Sequence, residues 1–433
     1  MKKIFYVAAA ILAAGFVSCS DNDVDGTMQV PAEESATPIL FNVGNGRVEI
    51  QQNTPATRGT GTVGDTIGTG NIWHGESLNV YMFKKDSLVL ATENDGTTPI
   101  FENALVSAPH SKKDQTGVVY ADYASENGVK YYPMNGNYDF FAYRADDAVN
   151  GAPATDSVDV KKATRMFIPV RIDGTQDLMI AKATPDTLTV DSALRARCYS
   201  AYSARRSVQP HFKFEHLLSR LKFFATPHAK KDTIVRVESI KVLGKDWVVE
   251  NADGDTTKFV KGACTDAEFT IAWVGNRPAA LLDSLKNPNS TDIALMQVDT
   301  AAINAGNDSV NVDLVALTPF APVWNKTINE GVKTQVGESM LLFPAESYVM
   351  EITLSQNIAK AGEPDSIITN KLYNELKLPV DAQGAPVGFK AGNQYHINFV
   401  VYGLEEIKLE LELTPWNYVE GANDVEINDD VEF

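Results

Sequence analysis

The chain alternates. From Tyr395, "YHINFVVY" sets Tyr395, Ile397, Phe399 and Val401 on one side, and after Gly403 "IKLELELT" does the same with Ile407, Leu409, Leu411 and Leu413. Lys408, Glu410 and Glu412 fall on the other side. A period of two is what a strand with one wet and one dry face requires, so an antiparallel hairpin covering a core is expected there. The same period recurs in "LNVYMF" from Leu78, in "SRLKFFA", in "TIVRVESIKVLG" and in "SYVMEITLS". Asn135-Gly136 within "YYPMNGNYDFFAY" predicts a two-residue turn joining two aromatic strands. Helical spacing is scarce. "DSALRARCYSAYSARR" has Asp191 as a candidate cap and Leu194, Cys198 and Tyr202 at spacing four, which predicts one short helix in a solvated connector.

At 433 residues the chain exceeds what one core comfortably serves, and two domains with tails are expected. A formal net charge of -18 is a poor match for phosphate backbones, so no nucleic-acid partner is expected. The opening "MKKIFYVAAAILAAGFVSCS" has two lysines, an apolar run from Ile4 to Val17, and then Ser18 and Cys19. Such a run is short for a membrane span and has the layout of an export signal. It resembles a bacterial lipoprotein signal, which implies acylation of Cys19 and a lipid anchor in the membrane. The acidic "SDNDVDG" that follows begins like a calcium loop, with Asp21, Asp23, Asp25 and Gly26, but Ala32 stands where the bidentate glutamate belongs. It is instead expected to be a tether, as in the surface-export signal of Bacteroidetes lipoproteins that it resembles. Cys198 and Cys264 remain and are expected to be buried free thiols.

No catalytic motif stands out. "GTGTVG", Gly59 to Gly64, has the spacing of a dinucleotide fingerprint, but "DTIGTGNIW" after it is hostile to the helix such a site needs. His211 and His216 are five apart in a strand-like stretch and point to opposite faces, so they do not chelate together. No cofactor, metal or enzymatic activity is expected. Eleven triplets of Asp, Ser or Thr, then a small apolar residue or Thr, as at Asp65, Asp86, Asp186 and Asp308, read as turns entering strands. They also resemble the O-glycosylation triplet of Bacteroidetes exported proteins.

Three further features combine. "PILFNV" alternates Ile39, Phe41 and Val43, and "RVEI" adds Val48 and Ile50. Arg58 then stands alone in the Thr- and Gly-rich "NTPATRGTGTVGDTIGTG". At the far end, "NDVEINDDVEF" alternates Val425, Ile427, Val431 and Phe433 within a region from Leu404 where ten acidic residues face Lys408 alone. With "IWHGESLNVYMF", "DLMIAKATP", "FKFEHLLSRLKFFA" and "TPWNYV" in between, the chain resembles the fimbrillin family, subunits of type V pili.

That resemblance implies an all-β fold of two transthyretin-like β-sandwich domains with few short helices. The expected layout is a signal peptide over 1–18, a tether over 19–38, an N-terminal strand and processing loop over 39–58, domains over 59–205 and 206–418, and an acidic tail over 419–433. It implies cleavage by a trypsin-like protease between Arg58 and Gly59, because a protease needs a locally unfolded site. Ile39, Phe41, Val43, Val48 and Ile50 would then be the displaced strand, and Val425, Ile427, Val431 and Phe433 the candidate donor that fills the vacated groove of another copy. The expected partners are other fimbrillin subunits and a host protein or glycan, at the surface of the outer membrane in a fimbrium. Two rivals are an anchor or accessory lipoprotein that keeps Cys19 and its first strand, and a glycan-binding adhesin using Trp73, Trp247, Trp273, Trp324 and Trp416 as stacking platforms.

Overall fold

Gln394–Val401 and Ile407–Thr414 form the hairpin that their alternation predicts, with Val401 opposite Ile407 and Gln394 opposite Thr414. Tyr395, Ile397, Phe399 and Val401 are buried, and Ile407, Leu409 and Leu411 are half-buried against the same core. Leu413 departs from its row: it is 61% exposed, near the end of the hairpin.

The computed structural model describes residues 37–42, 77–85, 92–93, 98–99, 104–107, 121–123, 128–145, 165–183, 199–212, 214–229, 234–250, 257–274, 277–286, 291–298, 314–358, 366–378, 383–384 and 387–414. Among them, the hairpin belongs to a sheet ordered Thr334–Leu342, Ser219–Pro227, Gln394–Val401, Ile407–Thr414. A second sheet is ordered Ile293–Ala294, Val235–Val242, Ser347–Ile358, Ser366–Lys377. Leu221, Phe223 and Val336 from the first meet Val237, Ile240, Met350 and Ile352 from the second in one core. The result is a β-sandwich, with side chains of two inner faces interdigitating. All its pairings are antiparallel except Ser219–Pro227 with Gln394–Val401, which run parallel and join segments far apart in sequence.

A third sheet has six strands, ordered Asp122–Tyr123, Ala104–Ser107, Ser77–Lys84, Tyr138–Arg144, Met179–Lys182, Glu215–His216. Its central strands are covered on both sides. Leu78, Val80, Met82, Phe140 and Ala142 enter one core, while Tyr81, Phe83, Phe141 and Tyr143 enter another that also holds Leu341 and Phe343. Two-sided burial is why "LNVYMF" and "YDFFAY" carry apolar residues at successive positions. The all-β expectation holds. The division expected between 205 and 206 is crossed twice: the six-stranded sheet ends on Glu215–His216, and Arg165–Arg171 pairs with Asp266–Val274.

Two local expectations fail. Tyr131 and Tyr132 do not form a hairpin with Tyr138–Arg144, because both edges of that strand are taken by Ser77–Lys84 and Met179–Lys182. Gly136 does turn the chain, at φ 114, but Tyr131 bridges to Pro38 instead. Of the stretch expected to be helical, the described part holds the helix Ala201–Ala204, capped by Ser200 in a reciprocal bond pair with Ser203. Tyr199, at φ 58, is left-handed just before the cap, so this helix does not extend back through it. Asp191, Leu194 and Cys198 lie outside the described residues. Tyr202 is 43% exposed, while Tyr199, Ala201 and Ala204 bury into the same core as Leu78 and Phe140, so residues 199–204 are no solvated connector.

Candidate functional site

Residues 37–42, Thr-Pro-Ile-Leu-Phe-Asn, occupy a slot whose walls come from 121–123, 128–132 and 205–212. Alternation decides which side chains enter it. Ile39 and Phe41 are fully buried in the core under the six-stranded sheet, while Leu40 is 37% exposed. The ring of Phe41 lies among Tyr123, Phe140 and Phe212 at centroid distances of 5.6, 5.7 and 5.9 Å, in tilted and edge-on geometries. Burying an Ile and a Phe contributes about 1.5–3 kcal/mol each.

The backbone of the segment is bonded on both edges. On one side Ile39 N–H donates to the Lys130 carbonyl at 2.9 Å, and Tyr132 N–H donates to the Thr37 carbonyl at 2.9 Å. Ala121 N–H donates to the Phe41 carbonyl at 2.8 Å. On the other side Asn42 N–H donates to the Pro210 carbonyl, and Phe212 N–H donates to the Asn42 carbonyl, both at 2.8 Å. These contacts form an antiparallel bridge, Pro38 to Tyr131, and a parallel one, Asn42 to His211. The segment is therefore a strand in function, held by bridges rather than by a continuous ladder.

Side chains complete the hold. Leu40 N–H donates to Gln209 Oε1 at 3.1 Å, Arg205 Nε donates to Thr37 Oγ1 at 2.9 Å, and the Tyr123 hydroxyl donates to the Ile39 carbonyl at 2.9 Å. Burial pushes the Tyr123 phenol well above its usual range, so it stays a donor at physiological pH. Tyr123→Phe leaves the Ile39 carbonyl short of this donor. It should weaken the seat by about 1 kcal/mol, seen as faster hydrogen exchange at Tyr132 and Ala121.

Of the residues picked from sequence, the structure brings Ile39 and Phe41 together in this slot. Val43, Val48, Ile50, Cys19, Arg58, Gly59, Val425, Ile427, Val431 and Phe433 lie outside the described residues. The seat begins earlier than expected: Thr37, buried, and Pro38 belong to it rather than to a tether. The walls were not foreseen. Gln209, Arg205 and Tyr123 carry no pattern of their own, although Phe212 and Phe214 in "PHFKF" alternate as a buried edge would.

Other candidates lead elsewhere. His216 Nδ1 bonds Asp177 at 2.8 Å with both side chains fully buried, and Arg144 donates to the Asp177 carbonyl at 2.6 Å, a buried polar knot at the edge of the six-stranded sheet. Cys264 is half-buried and in no disulfide. Trp247 stacks on Tyr373 at 4.4 Å, and Trp324 lies with Tyr402 in the wall of an apolar cavity of about 300 Å³ between Pro227 and Pro322. Among the described residues no group of three His, Cys, Asp or Glu side chains is placed to hold a metal, and no helix is long and apolar enough to cross a membrane.

No family model matches the chain, and no curated protein matches it. Similar solved structures include a fimbrial protein of Bacteroides vulgatus, at 12% identity over 78% of this chain and 92% of that one, with a TM-score of 0.42. Others are the tip fimbrial protein Mfa3 of Porphyromonas gingivalis, at 8% identity over 87% and 99% with a TM-score of 0.30, and the fimbrial anchor protein Mfa2 of the same organism, at 11% identity over 78% and 90% with a TM-score of 0.27.

Proposed function

We propose that the chain is a fimbrillin-type subunit of a surface pilus: exported as a lipoprotein on Cys19, cut after Arg58, and joined to its neighbours when the C-terminal segment of one copy takes the slot vacated in another. One observation carries this: Ile39 and Phe41 are fully buried, yet the hydrogen bonds given above for residues 37–42 all come from residue 121 or later in the chain. A piece so placed can be lifted out without breaking any local element, and its loss exposes unpaired backbone and two apolar sites. A strand from another chain satisfies both needs at once, which is β-augmentation. The alternating acidic tail with Val425, Ile427, Val431 and Phe433 supplies a soluble donor. No catalytic step is involved.

Arg58→Ala should abolish processing and leave the protein monomeric, whereas the natural chain treated with a trypsin-like protease should begin at Gly59 and form ladders on gels. Mass spectrometry of protein taken from its native cells checks the start. A mature chain that keeps acylated Cys19 would instead support an anchor, a role that the firmly seated 37–42 segment also suits.

A further inference from the structure

The slot specifies its occupant position by position. It takes a hydrogen-bond acceptor where Thr37 meets Arg205, buried apolar side chains at the third and fifth places, a half-buried residue at the second and an exposed one at the fourth, and a sixth residue with a free backbone N–H and carbonyl. Residues 423–428, Asn-Asp-Val-Glu-Ile-Asn, carry the same pattern and end on the same residue. We propose that the donor is this hexad, seated in the register and direction of Thr37 to Asn42. Val425 then takes the place of Ile39 and Ile427 that of Phe41. This rests on the strand-exchange reading above and adds its register and its selectivity.

Three features support that register. Asn428 reproduces both backbone bonds of Asn42, to the Pro210 carbonyl and from Phe212 N–H, which any occupant stopping one residue short leaves unmade in a buried wall. Asn423 offers Arg205 Nε an acceptor in place of the Thr37 hydroxyl. Charge separates donor from placeholder. Residues 37–42 carry none, while the hexad places Asp424 and Glu426 where Pro38 and half-exposed Leu40 stand. Arg205 lies at that rim, and so does Lys130, whose carbonyl accepts from Ile39. The rim therefore prefers the acidic tail to the neutral segment that it replaces, and the preference acts through encounter and register.

The test uses the full chain, processed after Arg58, with a thiol at Gln209→Cys, the residue whose side chain meets the fourth position. Paired with Glu426→Cys on the incoming tail, a short bis-maleimide should link chains into a ladder, with the join between positions 209 and 426 confirmed by mass spectrometry of the linked peptides. Glu432→Cys, which reports a register six residues later with Val431 and Phe433 in the two sites, should link at least about tenfold less. Strong linkage at 432 and not 426 overturns the proposal. So does linkage at neither while unmodified processed chains still assemble, an outcome that leaves strand exchange itself standing. Processed chains that stay monomeric overturn both. In a second arm, Arg205→Gln should slow assembly about three- to tenfold at low salt and progressively less as salt rises. A loss independent of salt would overturn the selectivity argument.

Discussion

Replacing Phe41 with alanine should unseat residues 37–42 even in the uncut chain. The ring fills a space bounded by Tyr123, Phe140 and Phe212 and is fully buried. Truncating a buried Phe costs about 3–5 kcal/mol, from lost transfer energy and from the cavity left behind. That corresponds to about two to three and a half powers of ten in the seating equilibrium. The effect should be local, because among the described residues the segment pairs with its neighbours only through two isolated bridges and belongs to no sheet. Hydrogen exchange at Tyr132, Ala121 and Phe212, the three wall amides that donate to it, should accelerate by that factor, while amides in Gln394–Val401 keep their protection. Phe41→Leu, which keeps most of the apolar volume, should recover much of the loss. Unchanged protection at Tyr132 in Phe41→Ala would mean that the segment adds nothing to the wall.

What the sequence disclosed follows from what alternation encodes. A period of two tells which side chains share a face, and so Gln394–Val401, Ile407–Thr414 and the Ile39/Phe41 pair were legible. It does not encode which strand lies alongside. The parallel pairing of Ser219–Pro227 with Gln394–Val401 joins segments some 170 residues apart, and nothing local marks it. Asn135-Gly136 shows the opposite error: its turn signal is real, but a strong local signal does not determine a partner when two better edges compete for Tyr138–Arg144. The slot walls were illegible for the same reason. Gln209, Arg205 and Tyr123 acquire their roles only from position, since each acts on residues 37–42 through a bond across 84 or more residues.

Cutting after Arg58 should turn a stable seat into a marginal one. Seating residues 37–42 gains about 1.5–3 kcal/mol for each of two buried side chains. Five backbone hydrogen bonds add about 0.5–1.5 kcal/mol each, so the gain is roughly 5.5–13.5 kcal/mol. Ordering six residues costs roughly 1–2 kcal/mol apiece, or about 6–12 kcal/mol. The two nearly cancel. In the uncut chain the segment is tethered, so it rebinds at a high effective concentration and stays. Once severed it also faces the loss of translational freedom on every return, and dilution drives it out. The fragment ending at Arg58 should therefore leave the processed protein with a dissociation constant no tighter than about micromolar. The uncut chain should keep its wall amides protected at any dilution. Gel filtration of freshly cut protein at nanomolar concentration is the measurement. A fragment that co-elutes with the body there would show a slot that does not empty by itself, and assembly would then require an incoming strand to displace the segment while it is still bound.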